Sequence, residues 1–592
     1  MREQLAALRR RMAEEGVNAY LIPTDDFHSS EYVSDYFKSR AYISGFTGSA
    51  GTLVVLQDWA GLWTDGRYFL QASQQLEGSG ITLCKSGEKD VPTEDAFLFD
   101  HLEKGQTLAF DGRTVSARKY HALEKKLKEK EIQLRADVDF VGDIWAERPA
   151  MSANPAWELG VVYSGKTRAD KLQDVRKALK EKGADSVVLS SLDDVAWTLN
   201  IRGSDVNCCA FVLSYLAIDQ KTAVLFVNES VISDDLRSAL AKDGVELKPY
   251  AEVYAYAAAL EKGTKVWLDE DKTNSALWNA AGKNCEIIAQ MNPTTIPKCT
   301  KNEVEVANEK IAHIRDGVAV TKFIFWLKQN VGKIDITERS AAEYLESLRA
   351  QQEHYMGPSF APIVAYAHHG AIVHYSATEE SDIALRAENF LLCDTGGHYL
   401  EGTTDITRTI ALGPISEDMK KHYTLVLRSH LALLNAKFLH GCRGSALDMV
   451  ARQPMWAEGL DYNHGTGHGV GYLLSVHEGP VNFRFRSAGQ DAVLKPGMII
   501  SDEPGLYLAD QYGIRLENLM VCEDDMTNDF GHFMKFAPLT MVPFDRAAID
   551  ATILSEQEKI WLNQYHAAVR EALRPYLNEE ETAWMYEMTA AF

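Results

Sequence analysis

A chain of 592 residues, 46% hydrophobic and 24% charged, is too apolar for disorder and too long for one core, so about three or four domains are expected. A formal net charge of −23 without a basic cluster opposes nucleic acid and anionic membranes as partners and favours small or peptide substrates. The eight cysteines show no CxxC spacing, the opening residues MREQLAALRRRMAEEGVNAYLIP lack an apolar signal core, and no run of about 18 apolar residues occurs, which together predict a cytoplasmic protein with reduced thiols and no membrane span.

In chain order, Leu5, Leu8 and Met12 space a helix that stops near Gly16, and the apolar run Ala19 to Ile22 predicts a strand. About 167 residues later KLQDVRKALKEKGADSVVLSSLDD repeats the plan of QLAALRRRMAEEGVNAYLIPTDD: charged helix, glycine stop, β-rich run, acidic pair. Two related α/β domains in tandem follow, over 1–150 and 151–299, with Pro149 and Pro155 in the linker between them. Pro293 and Pro297 mark a second connector, and Thr300 with Glu303 reads as a capping box opening a helix through Val331. The third domain, 300–592, alternates strands (Ile363 to His374, Phe390 to Asp394, Met498 to Tyr507, Gly513 to Val521) with a helix over about 416 to 439, an α+β plan. From Ser555 onward the tail reads as helical, with Trp561, Trp584, Met585, Tyr586 and Met588 needing a surface to cover them.

Asp394, Asp405, His468, Glu503 and Glu517 each fall in a strand or at a strand end of this third domain. Four carboxylates and one imidazole suit two divalent cations, and so much negative charge is hard to collect in one cleft without them. Two cations roughly 3.5 to 4 Å apart with a bridging water make a hydrolytic centre. Asp394 ends FLLCD, and a glycine-containing link leads to Asp405 at the start of DITRTIAL, so a hairpin sets the two side by side. His464 and His468 sit four apart in NHGTGHGVGY, where Gly465, Gly467, Gly469 and Gly471 exclude a zinc-binding helix and leave His468 as a single ligand. Glu503 precedes Pro504 and Gly505, and Glu517 lies two residues after Arg515, so the guanidinium is expected to hold that carboxylate in place.

The motifs LLCDTGGHYLEGTTDITRTIALG, HGTGHGVGYLLSVHEGP, MIISDEPGLY and GIRLENLMV together resemble the pita-bread metallopeptidases, which hold two metals with ligands in the order Asp, Asp, His, Glu, Glu. RAYISGFTGSAGTLVV and GLWTDGRYFLQA resemble the first domain of the three-domain aminopeptidase P group within that family. The implied fold is two creatinase-like N-terminal domains followed by a pita-bread catalytic domain. The resemblance further implies that Asp394, Asp405 and Glu517 serve one metal, while Asp405, His468, Glu503 and Glu517 serve the other, with manganese the usual ion. Thr395 stands where relatives commonly carry serine, and the hydroxyl is kept.

The implied activity is release of the N-terminal residue from peptides with proline in second position, by a hydroxide bridging the metals, with Glu503 accepting and passing on its proton. His374, His464 and His477 match family positions beside the reacting carbonyl, where an imidazole steadies an oxyanion or protonates the leaving nitrogen; their division of labour stays open. Arg67, Tyr366 and Arg515 are further candidates for shaping the substrate site or supporting the ligands. Alternatives are a prolidase confined to dipeptides and a non-catalytic peptide or histone binder on the same scaffold. Relatives of this type commonly dimerise through the catalytic domain, so a homodimer leaning on the tail is expected, against a tail folded back on its own domain.

Overall fold

The computed structural model describes residues 2–486 and 491–592. The chain forms two compact units, Met1–Leu159 with Lys166–Thr294, and Gly160–Gly165 with Thr295–Phe592.

The first unit contains the same architecture twice. Its opening helix, Glu3–Glu14, buries Leu5, Leu8 and Met12, and Gly16 takes a left-handed φ of 66° where the chain turns into the strand Ala19–Pro23. The counterpart helix, Arg168–Lys182, is capped by the Thr167 side chain, buries Leu172, Val175 and Leu179, and ends at left-handed Gly183 before the strand Ser186–Leu189. Each fully buried leucine on these faces contributes roughly 2 kcal/mol of transfer free energy. Numbered in chain order within each sheet, the six strands lie in the order 4-3-2-1-5-6 in both copies. Strands 1, 2 and 3 pair antiparallel, and the remaining pairings are parallel, identically in the two. The duplication read from the sequence is therefore present down to strand direction.

The copies meet through equivalent loops. In each, an aspartate (Asp111, Asp269) accepts from the backbone N–H two residues on, which shapes the turn leading to the cap residue of the next helix, Ser116 or Asn274. Ser116 and Asn274 form an antiparallel bridge. Around them Ala117 N–H donates to the Thr273 carbonyl and Ser275 N–H to Val115, both at 2.8 Å, while Arg118 donates to Glu270 and Ala276 to Gly112. The bonds come in symmetry-related pairs, so an approximate two-fold axis passes between the loops.

The second unit is built on the helix Glu303–Asn330, whose capping box is Asn302 with Glu305. The expected pair Thr300 and Glu303 is displaced by two residues because Thr300 is taken up in a bridge to Met498. One strip of this helix is buried and polar: Glu305, Glu309, His313 and Asp316. The short helix Val161–Ser164 packs on it, with Asn302 and Asn308 donating to the Ser164 and Val162 carbonyls. Strand Ile363–Tyr366 is shorter than predicted, since Ala367–Ala371 winds into a 3-10 turn with Ala367 at positive φ. The predicted helix over 416 to 439 ends at Leu434, and Lys437–Leu439 is an edge strand. Strands Ile499–Asp502 and Gly505–Leu508 replace one long strand, broken at Glu503–Pro504 because proline has no N–H to continue a ladder.

Phe390–Thr395 lies between Ile363–Tyr366 and Ile406–Ala411 in a three-stranded antiparallel sheet. A six-stranded sheet carries Gly467–Gly469, Glu478–Phe483, Ile499–Asp502 and Asn518–Asn528. The tail does not stand out from this unit. Leu562, Tyr565, Val569, Leu573 and Met585 are buried in one of its cores with Phe544, and Trp561 and Trp584 pack against it. Trp584 also meets Phe325 of the long helix edge to face. The tail's apolar residues are thus covered by their own domain, and the expectation of a dimer leaning on them is withdrawn; Tyr586 alone of the five named is well exposed, at 46%.

Candidate metal centre

The two sheets deliver the predicted ligands from strand ends. Asp394 lies in Phe390–Thr395, and Asp405 immediately precedes Ile406–Ala411, which pairs with it so that Asp394 faces Thr407. The link between these arms is longer than a simple turn: Gly397–Tyr399 and Gly402–Thr403 form a small hairpin of their own, paired to Tyr355–Pro358. His468 sits in Gly467–Gly469, Glu503 follows Ile499–Asp502, and Glu517 lies between Tyr512–Arg515 and Asn518–Asn528.

Ligand atoms of Asp405, His468 and Glu517 all lie within 4.8 Å of one another. His468 Nε2 is 3.4 Å from Asp405 Oδ2 and 3.6 Å from Glu503 Oε1. Its Nδ1–H donates to the Gly469 carbonyl at 2.9 Å, which fixes the tautomer and turns Nε2 toward the carboxylates. Burial works against a charge on this ring, but Asp405 and Glu503 beside it raise its pKa to about 9. Burial, with Asp405 nearby, lifts Asp394 to about 6 despite Arg515, and burial among Asp405, Glu503 and Asp394 carries Glu517 well above the ordinary range. One oxygen each of Asp394, Asp405 and Glu517 is buried without a hydrogen bond among the described residues. Such orphaned acceptors are costly. Divalent cations would satisfy such oxygens, so the donor set fits divalent metal.

The surrounding support differs from the expectation at one point. Arg515 does not hold Glu517; its Nη2 donates to Asp394 Oδ2 at 2.6 Å, while Glu517 Oε2 accepts from Thr407 at 2.7 Å. The chain leaves strand geometry at Leu516, so the two side chains do not share a face. Arg515 also donates to the Tyr507 hydroxyl at 2.7 Å and to the Val373 carbonyl beside His374 at 3.3 Å. Tyr507 in turn donates to His464 Nε2 at 2.8 Å, and His464 Nδ1–H donates to the Gly465 carbonyl. Every proton in this chain has one donor and one acceptor, and burial lowers the His464 pKa, consistent with a neutral ring.

His477 meets His468 edge to face with ring centroids 4.3 Å apart. His374 follows the 3-10 turn, half-buried, in the segment that Arg515 tethers. Tyr366 is not part of the cluster: it is 6% exposed in a separate core with Phe323 and Leu391, and its hydroxyl donates to the Glu388 carbonyl. Arg67 lies in the first unit, where Asp65 takes both arms of its guanidinium at 2.7 Å.

Several supporting residues escaped the sequence reading. Arg349 and Asp316 form a buried ion pair that also binds Thr395 and Thr404, the neighbours of Asp394 and Asp405. His430, fully buried, contacts Asp502 through Nδ1 at 3.1 Å and accepts from Asn518 at Nε2. Asp502 and Asn518 are ladder partners, one beside each glutamate of the cluster. Tyr507 carried a faint signal in the alternation of GLYL; the others carried none, since each is an ordinary helical or strand residue until the fold brings its partner.

A strand-end cluster of carboxylates and imidazole, with metal-fitting donors and three histidines near it, defines a metal-dependent hydrolase. The sequence model of metallopeptidase family M24 matches residues 307–524, with its C-terminal region over 532–592. The creatinase/prolidase N-terminal domain matches twice, over 4–139 and 147–305. A probable Xaa-Pro aminopeptidase P of Sordaria macrospora is 38% identical, covering 100% of this chain and 99% of its own. Aminopeptidase P1 of Arabidopsis thaliana is 35% identical with the same coverage, 100% and 99%. The crystal structure of X-prolyl aminopeptidase from Caenorhabditis elegans, a cytosolic enzyme with a di-nuclear active site, superimposes with a TM-score of 0.94 at 34% identity, covering 100% of this chain and 99% of that one. The chain belongs to metallopeptidase family M24, in its aminopeptidase P branch.

Proposed function

We propose that this chain is a di-nuclear metal-dependent aminopeptidase that removes the N-terminal residue from peptides with proline in second position. The observation that carries the reading is the convergence of Asp405, His468 and Glu517 within 4.8 Å, in a chain alike over its whole length to Xaa-Pro aminopeptidases. Asp394, Asp405 and Glu517 would hold one cation, and Asp405, His468, Glu503 and Glu517 the other, with manganese the proposed ion. Bound there, two cations supply Lewis acidity and an acidified water. The remaining work falls to the protein. Glu503, the most exposed of the four carboxylates, with 19% of its side chain open, accepts a proton and passes it on. His464, with both nitrogens engaged, holds Tyr507 and through it Arg515 and Asp394. His374 and His477 are left the roles of steadying the oxyanion and protonating the proline nitrogen.

The domain limits 1–150, 151–299 and 300–592, a cytosolic location and a homodimer through the catalytic domain, now without the tail's part in it, belong to the same proposal. No helix among the described residues is long and apolar enough to cross a membrane. The test is hydrolysis of Arg-Pro-Pro, Ala-Pro and Met-Ala-Ser after manganese loading. Release of arginine from Arg-Pro-Pro supports the reading, cleavage of Ala-Pro alone makes the protein a prolidase, and no cleavage of any sinks both. In this assay Asp405→Ala and Glu517→Ala are expected to lose activity and metal together, and two bound metals with normal turnover in either would remove its assignment to both cations.

A further inference from the structure

Behind the strand that carries His468 and the strand that begins just after His477 lie three buried charges with no part in the chemistry above. Gly469 and Glu478 are ladder partners, each one residue past a histidine of the site. The strands are as close here as backbone allows, since a Cβ on Gly469 would lie 2.3 Å from the Glu478 carbonyl oxygen. The Glu478 side chain is buried, and its Oε2 accepts from Lys301 Nζ. Lys298 Nζ lies 3.7 Å from the other oxygen. Lys301 donates as well to the Val470 carbonyl at 2.6 Å, so one ammonium ties the residue after His477 to the strand that bears His468. Both lysines are only 4% exposed. The anchor is itself fixed: Lys301 N–H donates to the Gly497 carbonyl, and Thr300 bridges Met498.

A buried ion cluster is a poor source of stability, because well-packed apolar side chains of similar volume do as well or better. What such a cluster supplies is geometry: an ammonium that must satisfy a carboxylate and a carbonyl together admits one spacing between them. That spacing sets where the His477 ring stands against His468, 4.3 Å away.

We propose that Glu478, clamped by Lys301 and Lys298, is a positioning residue that holds His477 at its working angle over the metal centre. The proposal rests on the reading of His477 given above. The test compares Glu478→Gln, Lys301→Met and His477→Ala, and the first two again in the His477→Ala background, as full-length manganese-loaded protein acting on Arg-Pro-Pro. Lys301→Met leaves Lys298 to balance Glu478, so it reports even where Glu478→Gln does not fold. Each of these two variants is expected to lower kcat by about tenfold or more with KM within about twofold and both metals retained, the size of effect seen when a support behind a site residue is removed. In the His477→Ala background they are expected to cost nothing further, because the residue they act through is gone. Losses that multiply with His477→Ala identify a merely structural role and overturn the proposal, as does normal kcat in both variants. An impaired His477→Ala beside unaffected Glu478 and Lys301 variants sinks this inference alone, whereas a fully active His477→Ala sinks the reading of His477 and this with it.

Discussion

Replacing Arg515 with methionine separates the support of the metal centre from its ligands. The guanidinium is 2% exposed and is the only donor to the Asp394 carboxylate among the described residues, the second oxygen having none. Arg515→Met therefore leaves that buried carboxylate beside Asp405 and Glu517 without its donor. Breaking one side of a buried ion pair costs about 3 to 5 kcal/mol, and the lost bond to Tyr507 adds about 1 kcal/mol. In chelator-treated protein the expected result is a fall of that order in unfolding free energy, read by urea denaturation. Metal affinity is expected to fall by about 10- to 100-fold, as for other residues that orient a ligand, measured by competition with a chelator of known affinity. Excess manganese should narrow the stability gap, because cations replace the missing positive charge. Tyr507→Phe is the control, keeping the ion pair and losing only the hydroxyl's two hydrogen bonds, with a cost of about 1 to 3 kcal/mol. Equal metal affinity and equal metal-free stability in Arg515→Met and the unaltered protein would refute the reasoning.

Three further outcomes are expected. Loading manganese at pH 7.5 should release at least one proton per chain, since His468, held at about 9 in the metal-free site, must give up its proton to become a ligand; calorimetry in buffers of different ionisation heat reads it, and no release contradicts the assignment of His468. The same pKa rise means that the metal-free protein gains stability from His468 fully below pH 6.5 and loses it as pH rises through about 9, while Asp394 gives its share below pH 3.8 and loses it through about 6; urea midpoints of chelated protein should accordingly fall across pH 4 to 9 at these groups. A chain stopped before Ser555 removes Leu562, Tyr565, Val569, Leu573 and Met585 from the core and should be insoluble, each lost buried side chain costing roughly 2 kcal/mol or more; a soluble, active truncated enzyme would show that the tail is dispensable.

The candidate ligands stand out in the sequence against their surroundings: a carboxylate at the end of the apolar run FLLC at Asp394, or a glycine-flanked histidine at His468, has no cheap place in a strand. The duplicated N-terminal plan was legible because helix period, glycine stop and β-run recur at a fixed interval. What failed were inferences about direction over a few residues. Arg515 and Glu517 share a face only if the strand continues, and the break at Leu516 sends one toward Asp394 and the other toward Thr407. The capping box shifted from Thr300 to Asn302 because a tertiary bridge to Met498 claimed the first candidate. The supports Asp316–Arg349 and His430 were unreadable for a different reason: they pair residues 33 or 72 positions apart, and no local pattern records such a partner. The tail misled because large apolar residues on its two helices, Glu556–Leu573 and Glu579–Met588, look the same whether a neighbour or their own domain covers them.

The paired caps of the N-terminal domains bear on how this chain could change over generations. When two identical subunits meet about an axis, each substitution is made on both sides at once, and a change must suit its own mirror image. Fusing the two halves into one polypeptide lifts that restriction. Ser116 opposes Asn274, and Arg113 stands where the other loop has Asp271; Asp271 is already committed to Arg118 across the boundary. Each half is thus free to drift while the backbone bonds between them stay in place, and one copy can take on a task that the other has never had.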